Sequence, residues 1–590
     1  MEKIGPVFGE SIRTEKLSKR RNYEGGLGDS SSRFYLIPLI LAVAIVVAIF
    51  RLFSLQFISG SYYRNLSDSN RIRTVVIHAP RGTIFDRNGV PMVFNTPGFR
   101  ESINGKTKLL SQDEAISLLA QGNKKLEIDN LREYPYKDSM AHVLGYIGQI
   151  SQAQLKNPEF SGYSSGDLIG QMGVEQQYES LLKGVDGKEL DETDNLGRVV
   201  RKLGATDPVS GHDITLTIDA NLQKAAYLAT RGVQKGAVIA TTPKGEVLAL
   251  ISKPSFDPNL FTQGGSYKIA TSSGYRSIAD VLSDSTNQPF LDRAISGVYP
   301  PGSTFKIVVA TAGLSDNVID TSWSIEDTGI IKVGDFSFAN WYYTDYGGKD
   351  GQVNVIKGLQ RSNDIFFYRL AEKIGVDKLS STSEKFGLGK TLGIDLAGEE
   401  AGLVPTQEWK QKNVGEPWYL GDTYHYGIGQ GYLLTTPLQV NTWTQAVANG
   451  GTIYQPHVLK SLGDNKLASN LFGPNTTDPV RQGMIEACST GGVAWPLFNF
   501  EVKNPKLKID NKNILPVASA SADMRHVVVA CKTGTAQHGT DTTLPHAWIT
   551  LFAPAYDPQI VLTVLSEDSG EGSNIAGPIA KEILTSYFSK

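Results

Sequence analysis

Only two cysteines, Cys488 and Cys531, occur in the 590 residues. So few exclude a disulfide scaffold and any Cys-rich zinc site, and two buried free thiols are expected in preference to one bridge. The eight histidines contain no H-E-x-x-H and no other close metal-ligand spacing. Neither sign of charge dominates, the formal net charge being −3. A nucleic-acid binder would need a strongly basic face, so nucleic acid is not an expected partner. The 60 glycines follow no G-X-Y period, and no fixed-period repeat is present, which excludes collagen-like and solenoid architectures. A chain this long exceeds one hydrophobic core, and two to four domains are expected.

Long apolar runs are scarce as well. The one that stands out, residues 34–50, reads FYLIPLILAVAIVVAIF and carries no charge. As a helix rising about 1.5 Å per residue it covers roughly 25 Å, close to a bilayer core of about 30 Å. The pattern continues through Leu52, Phe53, Leu55 and Phe57, with Arg51 near enough to the helix end to snorkel. No small-x-small site closes the run, and residues 1–33 precede it, which argues against a cleaved signal peptide. Lys16, Lys19, Arg20, Arg21 and Arg33 lie before it, whereas Arg51 and Arg64 are the basic residues close after it. The expected layout is a cytoplasmic tail (1–33), a transmembrane helix (34–57) and an outer part.

In the outer part, the β-branched residues Thr74, Val75, Val76 and Ile77 predict a strand, and Asn88-Gly89 predicts a tight hairpin turn because both accept positive φ. Arg81, Asp86 and Arg87 beside that turn have a plain reading as a local salt bridge. Val174, Tyr178, Leu181 and Leu182 form a helical pattern. Residues 58–212 are expected to make an elongated, mixed pedestal domain. From Asp213 the texture changes. Residues 214–218 alternate as a strand, Asp219 suits an N-cap for a helix over 220–230, and residues 237–240 and 247–251 read as strands split by Pro243-Lys244-Gly245. Residues 546–553 and 559–567 look like a further antiparallel pair, and 576–588 like a closing helix. The fold class expected for 213–590 is α+β, a central antiparallel sheet flanked by helices.

Three short motifs in that domain carry chemistry. Ser303-Thr304-Phe305-Lys306 follows Pro300-Pro301-Gly302 and opens an apolar helical stretch. Residues three apart share a helix face, so the Lys306 amine can approach the Ser303 hydroxyl. A desolvated lysine of lowered pKa can activate a serine nucleophile, and the helix start offers N–H groups for an oxyanion. Ser362-Asn363-Asp364 stands at the start of a second helix; a plain N-cap role for Ser362 competes with a proton shuttle beside Lys306. Lys532-Thr533-Gly534-Thr535 ends a β-rich run, where a glycine lets a substrate backbone lie along the strand while Lys532 and the threonine hydroxyls hold a carboxylate. Each motif alone is weak. Their order within one α+β domain is far more specific.

With these motifs the chain resembles the class B penicillin-binding proteins, over nearly its whole length from the membrane segment onward. The stretch from Ala79 to Gly89 is similar to the membrane-proximal motif of that class. His142-Val143-Leu144-Gly145-Tyr146 and Gly173-Val174-Glu175 resemble its pedestal, or dimerisation, domain, and Ile428-Gly429-Gln430-Gly431 with Thr436-Pro437-Leu438-Gln439 resembles another landmark of its transpeptidase domain. Gly402-Leu403-Val404-Pro405-Thr406 with Trp409, His546-Ala547-Trp548, and Asp364 where Asn is usual look most like the elongation-type members.

The resemblance implies a β-lactamase/penicillin-binding fold and a peptidoglycan D,D-transpeptidase working without metal or organic cofactor. Ser303 would attack the bond between two terminal D-alanines of a stem peptide. Lys306 would take its proton, Ser362 would relay one to the leaving nitrogen, and Asp364 would adjoin Lys306. Lys532, Thr533 and Thr535 would hold the terminal carboxylate, Gly534 would help bind the substrate, and the N–H groups of Ser303 and Thr535 would form the oxyanion hole. The implied partners are D-Ala-D-Ala stem peptides, covalently bound β-lactams, a SEDS-family glycosyltransferase and the bacterial inner membrane. Other readings are a D,D-carboxypeptidase or β-lactamase-like hydrolase, for which no E-x-x-x-N water-activating setting is found, and a β-lactam-sensing receptor, which would carry several membrane helices.

Overall fold

The computed structural model describes residues 31–103, 106–121, 126–194, 198–263, 267–269, 273–503, 505, 512–516, 523–540 and 542–589; most of the expected tail, residues 1–30, lies outside the described residues. The chain divides into two compact units, residues 1–75 with 189–205, and residues 76–188 with 206–590.

In the first unit, helix α1 (Ser31–Phe53) runs into a wider-wound turn, Ser54–Ile58. Leu36–Ile58 is the one span among the described residues long and apolar enough to cross a membrane, and none of it is covered by protein. A polar helix, Gly60–Arg71, follows. The expected strand at 74–77 forms as Ile72–Ile77, next to Gly187–Thr193, which pairs in turn with Val199–Thr206. The outermost strand is exposed along its length.

The second unit begins with the predicted hairpin. Ile84–Phe85 pairs with Pro91–Ile103, and Gly89 takes φ 84 in the turn between them. The charged groups around this turn do not pair with one another, contrary to the plain reading. Asp86 Oδ1 accepts from the N–H groups of Asn88 and Val90, both at 2.8 Å, and its Oδ2 from Ala220 N at 3.3 Å. Arg81 reaches Glu175 (2.8 Å) and Glu179 (2.7 Å), Arg132 shares Glu175 at 2.7 Å, and Arg87 reaches Glu246 at 3.2 Å. Each ties the hairpin to a different segment. The helical pattern around Val174 is two short helices, Gly173–Gln177 and Glu179–Leu182, not one. Tyr178 breaks it, at φ −112 and ψ 25, with its hydroxyl donating to Asp395 at 2.5 Å.

The central sheet has five antiparallel strands. We label them β1 (Gly236–Thr241), β2 (Val247–Lys253), β3 (Ala530–Ala536), β4 (His546–Ala553) and β5 (Ile560–Ser566), in spatial order β2-β1-β5-β4-β3. β1 and β5 are both interior strands with every residue buried, which is why the segments near residues 240 and 560 read as apolar runs. Both faces are covered, so alternation sorts side chains between two cores. Ile549 and Leu551 pack with helices α2 (Ala220–Ala229) and α7 (Ala576–Phe588) on one face. Trp548 and Phe552 pack on the other with helices α3 (Lys306–Ser315), α4 (Asp364–Ile374), α5 (Pro437–Ala448) and α6 (Pro474–Ala487). Asp219 caps α2 as expected, accepting from Asn221 N and Leu222 N at 3.0 Å.

One expectation is corrected. Cys488, just past α6, and Cys531, on β3, form a disulfide rather than two free thiols, their Cα atoms 5.9 Å apart. The sequence could not pair them because helix end and strand meet only through the shared core. The bridge closes a 43-residue separation, for which chain entropy gives about 4 kcal/mol of stabilisation. The double variant C488A/C531A is therefore expected to lower the unfolding midpoint markedly, and an unchanged midpoint in a thermal melt would reject this.

Candidate active site

Ser303 sits in a single 3-10 turn, Gly302–Phe305, that leads directly into α3. Pro300 and Pro301 fix the approach, and Gly302 takes φ 53 where a Cβ would come within 2.9 Å of the Thr535 carbonyl oxygen. Gly302 N donates to Gly429 O at 2.9 Å, and Trp548 Nε1 donates to Pro300 O at 3.2 Å. The serine turn is thus clamped between the 428–431 loop and the sheet.

Lys306 follows one turn later and is fully buried. Its ammonium donates to Asp364 Oδ1 at 2.6 Å and to Ser362 O at 2.7 Å, with Ser362 Oγ at 3.3 Å. Asp364 therefore forms an ion pair with Lys306. Ser362 holds φ 52, unusual for a residue with a side chain. That turn aims its hydroxyl between two lysines, for Lys532 Nζ donates to Ser362 Oγ at 2.8 Å. The N-cap of α4 is Asn363, whose side chain accepts from Phe366 N at 2.9 Å, and not Ser362. The capping role competing for Ser362 is removed, and its hydroxyl is left to the site.

A polar network beneath this turn was not legible in the sequence. Asn363 Nδ2 donates to Asp327 and Asp350, both at 2.9 Å, and Asn340 Nδ2 donates to Asp327 at 3.1 Å. Asn340 Oδ1 in turn accepts from Asp364 N at 3.1 Å, and Asp364 Oδ2 accepts from Trp341 N at 2.9 Å. Arg361 closes it on Asp350 at 2.9 Å. Asp327, Asn340 and Asp350 come from segments outside the three motifs and share no spacing with them. Together they hold the strained Ser362 turn and present one Asp364 oxygen to Lys306.

The electrostatics are decided by burial. Lys306 and Lys532 are both fully enclosed and share one nearby carboxylate, Asp364. Burial holds Lys306 below the usual lysine range, with Asp364 opposing. Lys532 is driven well below it by burial and then by the neighbouring Lys306, again opposed by Asp364. One carboxylate offsets two ammonium ions poorly in so dry a place, which favours the neutral form of one lysine, with Lys532 the more strongly shifted.

Thr533, Gly534 and Thr535 lie on edge strand β3, with Gly534 opposite Trp548. A Cβ at Gly534 would come within 3.0 Å of Pro301 O, so glycine is what lets the strand pass the serine turn. Ser303, Ser362, Asp364, Thr533, Gly534 and Thr535 all line one cleft of about 860 Å³, rimmed by the aromatic side chains of Trp341, Tyr346, Trp495 and Phe498. The eight residues expected at the site are therefore brought together, Lys306 and Lys532 beneath the floor. The Ser303 hydroxyl makes no hydrogen bond among the described residues, and the Lys306 amine is engaged by Asp364 and Ser362 instead. The arrangement supplies a serine at a helix start, two buried amines joined through a hydroxyl, and a strand edge for an extended peptide.

Residues 236–585 match the family model described as the penicillin binding protein transpeptidase domain, and residues 123–216 that of the penicillin-binding protein dimerisation domain. The peptidoglycan D,D-transpeptidase MrdA of Escherichia coli K12 is 32% identical, over 93% of this chain and 92% of its own. The crystal structure of Pseudomonas aeruginosa PBP2 in complex with WCK 5153 has a TM-score of 0.66 at 33% identity, covering 87% of this chain and 96% of that one. A chain from a peptidoglycan synthase complex, described as coordinating polymerization and crosslinking, has a TM-score of 0.69 at 26% identity, covering 95% and 99%.

Proposed function

Because the chain belongs to the class B penicillin-binding proteins, of the MrdA or PBP2 kind, we propose that Ser303 is the residue through which it works. The protein is a peptidoglycan D,D-transpeptidase. What supports the assignment of roles is one observation: the Ser362 hydroxyl lies between the amines of Lys532 and Lys306, at 2.8 and 3.3 Å, directly behind the serine turn.

In the reading this supports, an extended stem peptide lies along β3 with its terminal carboxylate against Lys532, Thr533 and Thr535. That second negative charge raises the proton affinity of Lys532. A proton passes from Lys306 through Ser362 Oγ to Lys532, which leaves Lys306 neutral. Ser303 Oγ then attacks the carbonyl between the two terminal D-alanines while Lys306 takes its proton, and the N–H groups of Ser303 and Thr535 hold the oxyanion. The proton returns through Ser362 to the leaving nitrogen and D-alanine departs. An amine of a neighbouring stem attacks the ester, loses its proton along the same path and frees Ser303. A β-lactam enters by the first step and stays as the ester. The test is labelling with penicillin followed by mass mapping of the modified peptide. A label on a peptide other than that of Ser303, or an adduct hydrolysed within seconds, would favour another nucleophile or a hydrolase.

Asp364 sets the pH response in this reading. Burial lowers the Lys306 pKa and Asp364 raises it. Acylation needs the neutral amine, so its rate falls as pH drops through that pKa. In D364N burial acts unopposed, and the acid limb of the acylation rate is expected to move to lower pH. A limb that stays in place or moves upward would remove Asp364 from this role.

The chain is also proposed to be single-pass, with residues 1–33 cytoplasmic and 58–590 outside, divided between a pedestal to residue 212 and the catalytic domain from 213. Glycan polymerisation would fall to a SEDS-family partner engaging the pedestal. Val174, an obvious pedestal position from sequence, is fully buried, whereas Ile128 is 78% exposed. I128E is expected to reduce polymerisation by the partner in a reconstituted pair while leaving penicillin acylation intact. Loss of acylation with polymerisation retained would reverse the assignment.

A further inference from the structure

A stem that resolves the acyl-enzyme does so with an amine. Donor and acceptor stems are the same peptide in two roles, so the donor brings an ammonium of its own into the cleft. Two buried amines already share Asp364 at the floor, and a third positive charge calls for another carboxylate. Besides Asp364, the cleft is lined by the carboxylates of Asp345 and Glu571, and neither is ion-paired among the described residues. Asp345 stands on the short helix Trp341–Tyr346, whereas Glu571 is mounted beside β3.

That mounting is specific. Gly572 N donates to Thr535 Oγ1 at 3.4 Å, and a Cβ on Gly572 would come within 2.4 Å of Gly534 O. The glycine therefore lets the loop before α7 lie against the strand that the donor peptide follows. Asn574 Nδ2 donates to Glu571 Oε2 at 2.9 Å, and Glu571 Oε1 has no protein donor among the described residues. The oxygen of the same amide, Asn574 Oδ1, accepts from Trp495 Nε1 at 3.1 Å. One side-chain amide thus spaces an indole from a carboxylate.

Trp495 is held from the other side as well. It opens a 3-10 turn, Trp495–Leu497, and is 54% exposed although Ala494 and Leu497 are buried. Pro496 packs on the start of α7, where a Cβ on Gly577 would come within 2.9 Å of its ring. The turn and the helix start rest on each other, so the indole is fixed at the cleft wall near Glu571. An indole face attracts a cation through its quadrupole, and a carboxylate attracts it through its charge. An alkyl chain can lie along the indole while the ammonium at its end meets Oε1.

We propose, resting on the D,D-transpeptidase reading, that Trp495, Asn574 and Glu571 form a subsite for the free ammonium of the donor stem. Glu571 pairs with the ammonium, the indole covers the alkyl part of that side chain, and Asn574 positions both. The subsite selects, as donors, stems whose own amine is still free over stems whose amine is already acylated in a cross-link.

The test is competition. Labelling of Ser303 by fluorescent penicillin, in the full-length protein in detergent, is slowed by Nα-acetyl-lysyl-D-alanyl-D-alanine or by the same peptide acetylated also on its side-chain amine. The ratio of the two inhibition constants is read for each variant. Wild type should favour the free amine by on the order of 10-fold, an exposed cation–π contact and a partly exposed ion pair each contributing about two- to fivefold. E571Q and W495A should each lower the ratio by about two- to fivefold, and E571Q/W495A should bring it near one. Because the ratio is taken within one protein, a change in folding or labelling rate common to both peptides cancels. A wild-type ratio of one, or a ratio that E571Q leaves in place, overturns the subsite while the transpeptidase reading stands. Absence of penicillin label at Ser303 in wild type overturns that reading and the subsite with it.

Discussion

S303A should form no covalent adduct with penicillin and should lose cross-linking by a factor on the order of 10⁶, the size seen when a serine enzyme loses its nucleophile. The expectation rests on placement. Ser303 lines the cleft at the head of α3 with Thr535 across from it, and its turn is clamped by Gly429 and Trp548. The substitution removes one oxygen from a half-buried position and leaves the Lys306–Asp364 pair in place, so the fold should be unaffected. Intact-mass measurement after exposure to penicillin checks it. An adduct of wild-type yield on S303A would end the assignment, whatever its residual cross-linking.

K306A should slow acylation by about 10²–10⁴, the range for loss of a general base. This variant has a second effect that must be separated from the first. The Lys306 amine is the ion-pair partner of Asp364 at 2.6 Å, and that carboxylate is mostly buried. Removing one member of a buried pair costs about 3–5 kcal/mol because the other is left unpaired. K306A is therefore expected to be less stable as well as slow. The double variant K306A/D364N removes both charges and should recover most of the stability without recovering the rate. Acylation by the double variant at the wild-type rate, with both proteins folded by melting, would exclude Lys306 as the base.

Much of this site was legible because its signals are local. Ser303 and Lys306 are three apart, and helical geometry alone puts them on one face. The strands of the sheet showed as apolar or alternating runs, since a strand buried on both faces has little polar sequence. The Asp219 cap and the Asn88-Gly89 turn were readable for the same reason: one residue type meets one backbone requirement. Where several contacts compete, local reading failed. The pattern through Val174 and Leu182 looked like one helix until Tyr178 was drawn out of it by Asp395. At Ser362 the cap and the proton-shuttle readings compete on sequence alone, and only the fold gives the cap to Asn363, which Asp327 and Asp350 hold.

By itself, then, the sequence determined the membrane-length apolar span, the α+β domain and the three motifs that carry the chemistry, because each depends on spacing within a turn, a strand or a bilayer thickness. Only the tertiary structure decided that Lys306 and Lys532 share Asp364 in a dry interior, that Cys488 meets Cys531, and that Asp327, Asn340 and Asp350 support the Ser362 turn. Those partners are set by strand register and helix packing across tens to hundreds of residues. The burial that shifts the lysines exists only once the two cores have closed around them.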